Sequence, residues 1–218
     1  MSPLQWLRLG LARRRCGFLL QKRLLSQRLP TRSTWVRDLK MVALHFATTG
    51  LDPSMDRILA AGWVQLRGDS ILLASAHDVQ VCSPGAGAPS PGEDTDEAAP
   101  MAVVLEQLLP ELAGCVIVAH AAAIERGFLN ALLRHLGGVP MPNPFVDTLA
   151  LERRLIEAEG GVVREQYGDL TLEACRARRG LAEYRLDSAG TAAIACAELL
   201  LAQVSYLGGA SRVRLREL

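Results

Sequence analysis

Aromatic side chains are scarce in this chain, ten in 218 residues. Trp63, Tyr167 and Tyr184 lie too far apart in the sequence to suggest a platform on which bases stack. The five cysteines, Cys16, Cys82, Cys115, Cys175 and Cys196, form no C-x-x-C pair, and no histidine stands at metal-finger spacing. A zinc finger and a paired-thiol redox centre are thereby excluded, and the thiols read as buried and reduced, as in a cytosolic protein. No apolar run approaches the roughly eighteen residues that a membrane span needs, so no transmembrane segment is expected. G-x-S-x-G, G-x-x-x-x-G-K and a post-strand G-x-G-x-x-G are also missing. Their absence removes the nucleophile-elbow hydrolases, P-loop nucleotidases and dinucleotide-binding enzymes from consideration.

What remains is long enough for one domain of about 150 to 200 residues plus a tail. Half of the residues are apolar, so a sizeable core is available. The net charge of +1 conceals an asymmetry: residues 1–40 carry ten Lys or Arg against Asp38 alone, whereas the remainder carries fourteen against twenty-two acids. A body so acidic is a poor electrostatic match for a phosphodiester backbone, which is normally met by a basic groove that releases counterions.

Residues 1–34 read as a basic tail, either helical or disordered. Residues 3–29 alternate apolar and basic groups, including Arg13, Arg14, Arg15, Lys22 and Arg23. Such a segment suits nucleic acid, an anionic membrane surface or a protein partner's groove, and equally an organelle-targeting peptide or a helix packed on the domain. Pro30 and Thr31 to Thr34 mark a linker. The main domain, 41–207, opens with strand signals at Met41–Ala47, Ile58–Leu66 and Ile71–Val81, the last two joined as a hairpin through Arg67-Gly68-Asp69-Ser70. Residues 83–100, rich in proline, glycine and acid, read as a surface loop.

A helical period through Val103, Val104, Leu108, Leu109 and Leu112 follows, then a buried strand at Val116–Ala119. The next helix, 121–136, places Ile124, Phe128, Leu132 and Leu136 on one face and ends at Gly137-Gly138. A strand, crossover and strand imply parallel pairing. An edge element at 144–148, helices at about 149–159, 170–179 and 188–207, and a tail at 208–218 complete the reading. The sum is an α/β fold: a mixed sheet with an antiparallel hairpin beside parallel strands and helices on both faces.

Three segments carry a family likeness: MVALHFATTGL at 41–51, VAHAAAIERGFL at 118–129, and YRLDSAGTA at 184–192. Together they resemble the DEDD-type 3'-5' exonucleases, the superfamily of the proofreading subunit of bacterial DNA polymerase III, over roughly residues 41–207. The resemblance implies an RNase H-like fold. It also implies four acidic side chains holding two Mg²⁺ or Mn²⁺ ions, with a histidine as general base.

Position by position, the resemblance is incomplete. The family's first strand reads Asp-x-Glu-Thr-Thr-Gly, and His45 and Ala47 stand at its two carboxylates. Glu125 matches the second-motif aspartate and keeps a carboxylate, while Ala121 replaces an asparagine. Leu186 falls on the histidine base and Thr191 on the last aspartate, with Asp187 a possible substitute four residues earlier. A zinc site from His45, Glu125 and His120 has admissible ligand types but no ligand spacing, so packing roles are favoured for the histidines. Asp147 reads as an N-cap, and Asp52 and Asp56 as turn residues.

These substitutions predict an exonuclease-like domain that is inactive or strongly impaired, a pseudoenzyme with a binding or scaffolding role and no cofactor. One alternative is an active Mg²⁺- or Mn²⁺-dependent 3'-5' exonuclease on DNA or RNA, its site rebuilt from Glu125, Asp187 and His45. Another is a tail-driven membrane or nucleic-acid adaptor. Expected partners are nucleic acid or a protein, and the expected compartment is a bacterial cytoplasm, with an organelle open because of the Arg-rich start.

Overall fold

The computed structural model describes residues 10–81, 98–163, 168–183, 185 and 187–218. Most of the acidic loop expected at 83–100, as well as Cys82, Tyr167, Tyr184 and Leu186, lies outside the described residues. Five strands form one sheet: β1 (Lys40–Thr48), β2 (Ile58–Arg67), β3 (Ser70–Gln80), β4 (Val116–Ala119) and β5 (Phe145–Asp147), in the order β3-β2-β1-β4-β5. β1 to β3 pair antiparallel, and β4 and β5 add on parallel. This is the mixed sheet read from the sequence, the hairpin included.

Strand geometry turns the apolar runs into two cores, because successive side chains of β1 point to opposite faces. Val42, Leu44 and Phe46 join Trp63, Ile117 and Phe128 on one side. Met41 and Ala43 join Val64, Val118, Leu151 and Leu200 on the other. The first face is covered by α2 (Met101–Glu111) and α3 (Ala123–His135), and the second by α4 (Thr148–Ala158) and α6 (Ala189–Tyr206). The short α1 (Leu19–Leu24) packs beside α2, and α5 (Leu172–Arg178) packs on α4 and α6.

Two helix faces differ from the expected ones. In α2, Val103 is exposed and Leu105 is buried in its place. In α3, Leu136 is exposed, Ile124 and Leu132 are only partly buried, and the inward stripe runs through Glu125, Phe128, Leu129 and Leu133. Hydrophobic periodicity placed that stripe wrongly because a glutamate occupies one of its positions. A third correction concerns α6, eighteen residues long with a mean hydropathy of 1.3, which is long and apolar enough by composition to cross a bilayer. Here Ala193, Ala197, Leu199 and Leu200 are fully buried within the domain.

Helix α6 lies unusually close to the sheet. A Cβ at Gly62 would overlap the Ala189 carbonyl, and one at Gly190 would meet the Asp78 side chain. Both flanking segments also pack on the domain. Leu24 enters the first core, and buried Gln21 holds both the N–H and the carbonyl of Val139. Residues 208–218 fold back onto 34–37, with Val36 N–H on the Val213 carbonyl and Leu215 N–H on that of Thr34, each at 2.9 Å.

Candidate active site

β1 presents His45 and Ala47 on the face that carries Met41 and Ala43, opposite Gly62 and Ala60 of β2. The strand ends in a turn built by side-chain hydrogen bonds. Thr48 Oγ1 donates to the Gly50 carbonyl at 2.7 Å, and Asp56 accepts from Thr49 Oγ1 at 3.0 Å and from Asp52 N–H at 2.9 Å. Ser54 donates twice to Asp52, which holds that carboxyl below its ordinary range. The two aspartates are thus the turn residues expected from the sequence.

Glu125 projects from the first turn of α3 toward His45, its Oε1 3.3 Å from His45 Nδ1. The glutamate side chain is 2% exposed and the imidazole 38%. Among the described residues, Glu125 Oε2 is buried with no hydrogen-bond partner. A buried carboxylate with one oxygen unsatisfied is costly and needs a nearby positive or polar group, which His45 supplies on one side only.

Thr191 and Asp187 do not join this pair. Thr191 is spent on helix geometry: its Oγ1 accepts the Ser188 N–H at 3.1 Å, while Ser188 Oγ accepts the Thr191 N–H at 3.2 Å, a capping box that starts α6. Asp187 precedes the cap, is exposed, and has its Oδ1 3.4 Å from Thr191 Oγ1. The early helix start that would have turned Asp187 onto the face of Thr191 does not occur. Among the described residues, no three His, Cys, Asp or Glu side chains lie close enough to share an ion.

His120 is committed elsewhere. Its Nε2 lies 2.8 Å from the Leu170 carbonyl, which can only accept, so Nε2 carries the proton. Nδ1, 2.9 Å from Thr148 Oγ1, is then the acceptor. Burial pushes this imidazole below its ordinary value and favours the neutral ring. With both nitrogens engaged, the zinc set of His45, Glu125 and His120 is not assembled.

Asp147 caps α4 as expected, accepting from Leu149 N–H at 3.0 Å, and it also takes the N–H groups of Ala121 and Ala122 at 3.1 and 3.0 Å. The sequence did not reveal that second job, nor that Ala121 adopts φ 61°, the sole positive-φ residue other than glycine among those described. The signal was present, since the family's asparagine at this position is a residue that tolerates left-handed backbone. A buried network was also missed. Glu152, fully buried on α4, is bound by Arg179 at 3.0 Å, Arg178 at 3.4 Å and Gln203 at 2.9 Å. The thiols of Cys115, Cys175 and Cys196 are pushed up to about 11, 11 and 12 by burial, far from a nucleophile's range.

No protein-family model matches the chain. It is 29% identical over 162 residues to the PolC-type DNA polymerase III of Thermotoga maritima, covering 69% of this chain and 11% of that one. The Thermotoga petrophila protein of the same name gives 29% over 153 residues. The chain therefore spans about a tenth of the length of these relatives. In structure it is similar to Escherichia coli exonuclease I in a zinc-bound complex with single-stranded DNA, with a TM-score of 0.63 at 12% identity over 78% of this chain and 41% of that one. Exonuclease I with a dT13 oligonucleotide gives the same TM-score at 13% identity.

The chain is thus similar in sequence to a tenth of these polymerase III chains and shares its fold with exonuclease I. Against that fold, the donor set of this chain does not fit a paired-metal centre. Two hard cations need several carboxylate oxygens between them. These positions offer a glutamate already facing an imidazole, an alanine methyl and a threonine held in a helix cap.

Proposed function

We propose that this chain keeps the exonuclease fold without metal-dependent phosphodiester cleavage, and works as a binding or scaffolding module in nucleic-acid metabolism. The observation that carries this reading is the His45–Glu125 contact. The one retained family carboxylate is turned toward an imidazole that occupies another carboxylate's place, so one of its two oxygens faces a side chain instead of a cation. Nucleic acid is the favoured partner class, supported by the relation to polymerase III chains and by the single-stranded DNA held by exonuclease I.

The test is incubation of the full chain with end-labelled single-stranded DNA and RNA in Mg²⁺, Mn²⁺ and EDTA, with products separated by length. Unchanged substrate in every lane is expected. A chelator-sensitive ladder shortening from the 3' end would overturn the reading and make Glu125 and Asp187 the first residues to substitute.

A further inference from the structure

The sequence's charge asymmetry acquires a location in the fold. A cleft of about 690 Å³ lies at the β5 edge of the sheet, where the N-terminal segment, the 142–146 strand entry and the chain's last residues meet. Leu29, Pro30, Pro142, Pro144, Phe145 and Leu215 give it an apolar floor. Arg32, Arg154 and Arg216 stand around it, all exposed. The backbone bond from Arg216 N–H to the Arg32 carbonyl, 2.9 Å, holds two of these arginines together. Neither of those two guanidinium groups has an acid within ion-pair distance among the described residues. Arg154, by contrast, donates to the Glu217 and Leu218 carbonyls at 3.0 and 2.7 Å. Ala12 also lines the cleft, and Arg13, Arg14 and Arg15, which follow it in the chain, are exposed.

We infer that this cleft is a docking site for an acidic peptide segment of a partner protein, one that carries apolar anchors between its acids. Charge complementarity selects the acids. Arg32 and Arg216, with no acid in reach among the described residues, stand at the cleft on a domain whose remainder is negative, so an acidic segment is repelled elsewhere and drawn here. The floor selects the anchors, since an apolar cleft of this volume gains from burying side chains.

The same floor disfavours a nucleic-acid strand. Three prolines present no N–H to a phosphate. The cleft's one aromatic ring, Phe145, packs on the first core and carries the Arg126 guanidinium 4.5 Å from its centroid, so it offers no free face for a base. The inference rests on the binding role proposed above but not on the absence of cleavage, so its failure and that of the non-nuclease reading are separately visible.

The test uses fluorescence anisotropy on the full chain with four labelled probes: a dodecapeptide alternating Glu and Leu, its Glu/Ser and Lys/Leu counterparts, and a dT12 strand. The Glu/Leu peptide is expected to bind saturably and at least tenfold more tightly than the other three. Arg32→Glu with Arg216→Glu, both at exposed positions and checked for unchanged melting, should weaken it tenfold or more. Equal affinity for Glu/Leu and Glu/Ser would remove the apolar floor from recognition and overturn the proposal. So would dT12 binding as tight and as sensitive to the two substitutions, which would make this a nucleic-acid groove. Failure of the Glu/Leu peptide to saturate would show that there is no such site.

Discussion

At Ala121 the backbone takes a left-handed conformation that an alanine side chain disfavours by roughly 1–2 kcal/mol. Asp147 holds it there by accepting the N–H groups of residues 121 and 122. Asparagine enters this region more readily, so Ala121→Asn is expected to raise unfolding stability by about 1 kcal/mol, measured by urea titration. His120 supplies a second prediction. Its native value lies below the ordinary 6.5, so the unfolded chain takes up the proton first as pH falls. The contribution of this group is complete above that value, declines as pH drops through 6.5 toward the native one, and is level below it. Denaturation midpoints between pH 5 and 8 should show this slope in the native chain and lose it in His120→Gln. Nitrogen NMR should report the Nε2–H tautomer at neutral pH.

Among the elements, α4, α5 and α6 are joined both by an apolar cluster of Ile156, Cys175 and Leu199 and by one buried carboxylate. Glu152 accepts from Arg179, Arg178 and Gln203, and Arg179 reaches on to Glu159 at 2.8 Å. Removing one partner of such a network leaves the others buried and uncompensated. Glu152→Ala is therefore expected to cost about 3–5 kcal/mol, read from thermal or chemical unfolding. The strands were legible in the sequence to within a residue or so, because alternation and turn chemistry are local. The inward faces of α2 and α3 were not, because Leu105 and Glu125 are chosen by what lies opposite them. Likewise, the close seat of α6 on the sheet depends on Gly62 and Gly190 meeting from distant parts of the chain.

Across the whole molecule, the substituted family positions lie in β1, at residue 186 and in α6, so restoring them takes changes at widely separated points of the chain. His45→Asp with Ala47→Glu restores the first strand alone, and this variant is expected to remain inactive on labelled oligonucleotides in Mn²⁺. With Leu186→His and Thr191→Asp added, the five family positions again offer four carboxylates and a base. Chelator-sensitive shortening, at a small fraction of a working exonuclease's rate, is then expected. A two-residue variant that cleaves would mean that Glu125 and Asp187 already cooperate across the fold.

The sequence by itself determined the sheet, its hairpin and parallel additions, the family likeness, and the identity of each substituted position. All of these follow from local periodicity, turn residues and short-range motifs. Only the tertiary structure decided how the remaining groups are used. It turned Glu125 onto His45, tied Thr191 into a helix cap, left Asp187 outside that helix and closed both nitrogens of His120. It also gathered arginines from both ends of the chain around one apolar cleft. The physical reason is common to all of these. A side chain's partners are set by distances between segments far apart in sequence, and hydrogen bonding and burial act on those distances rather than on chain position.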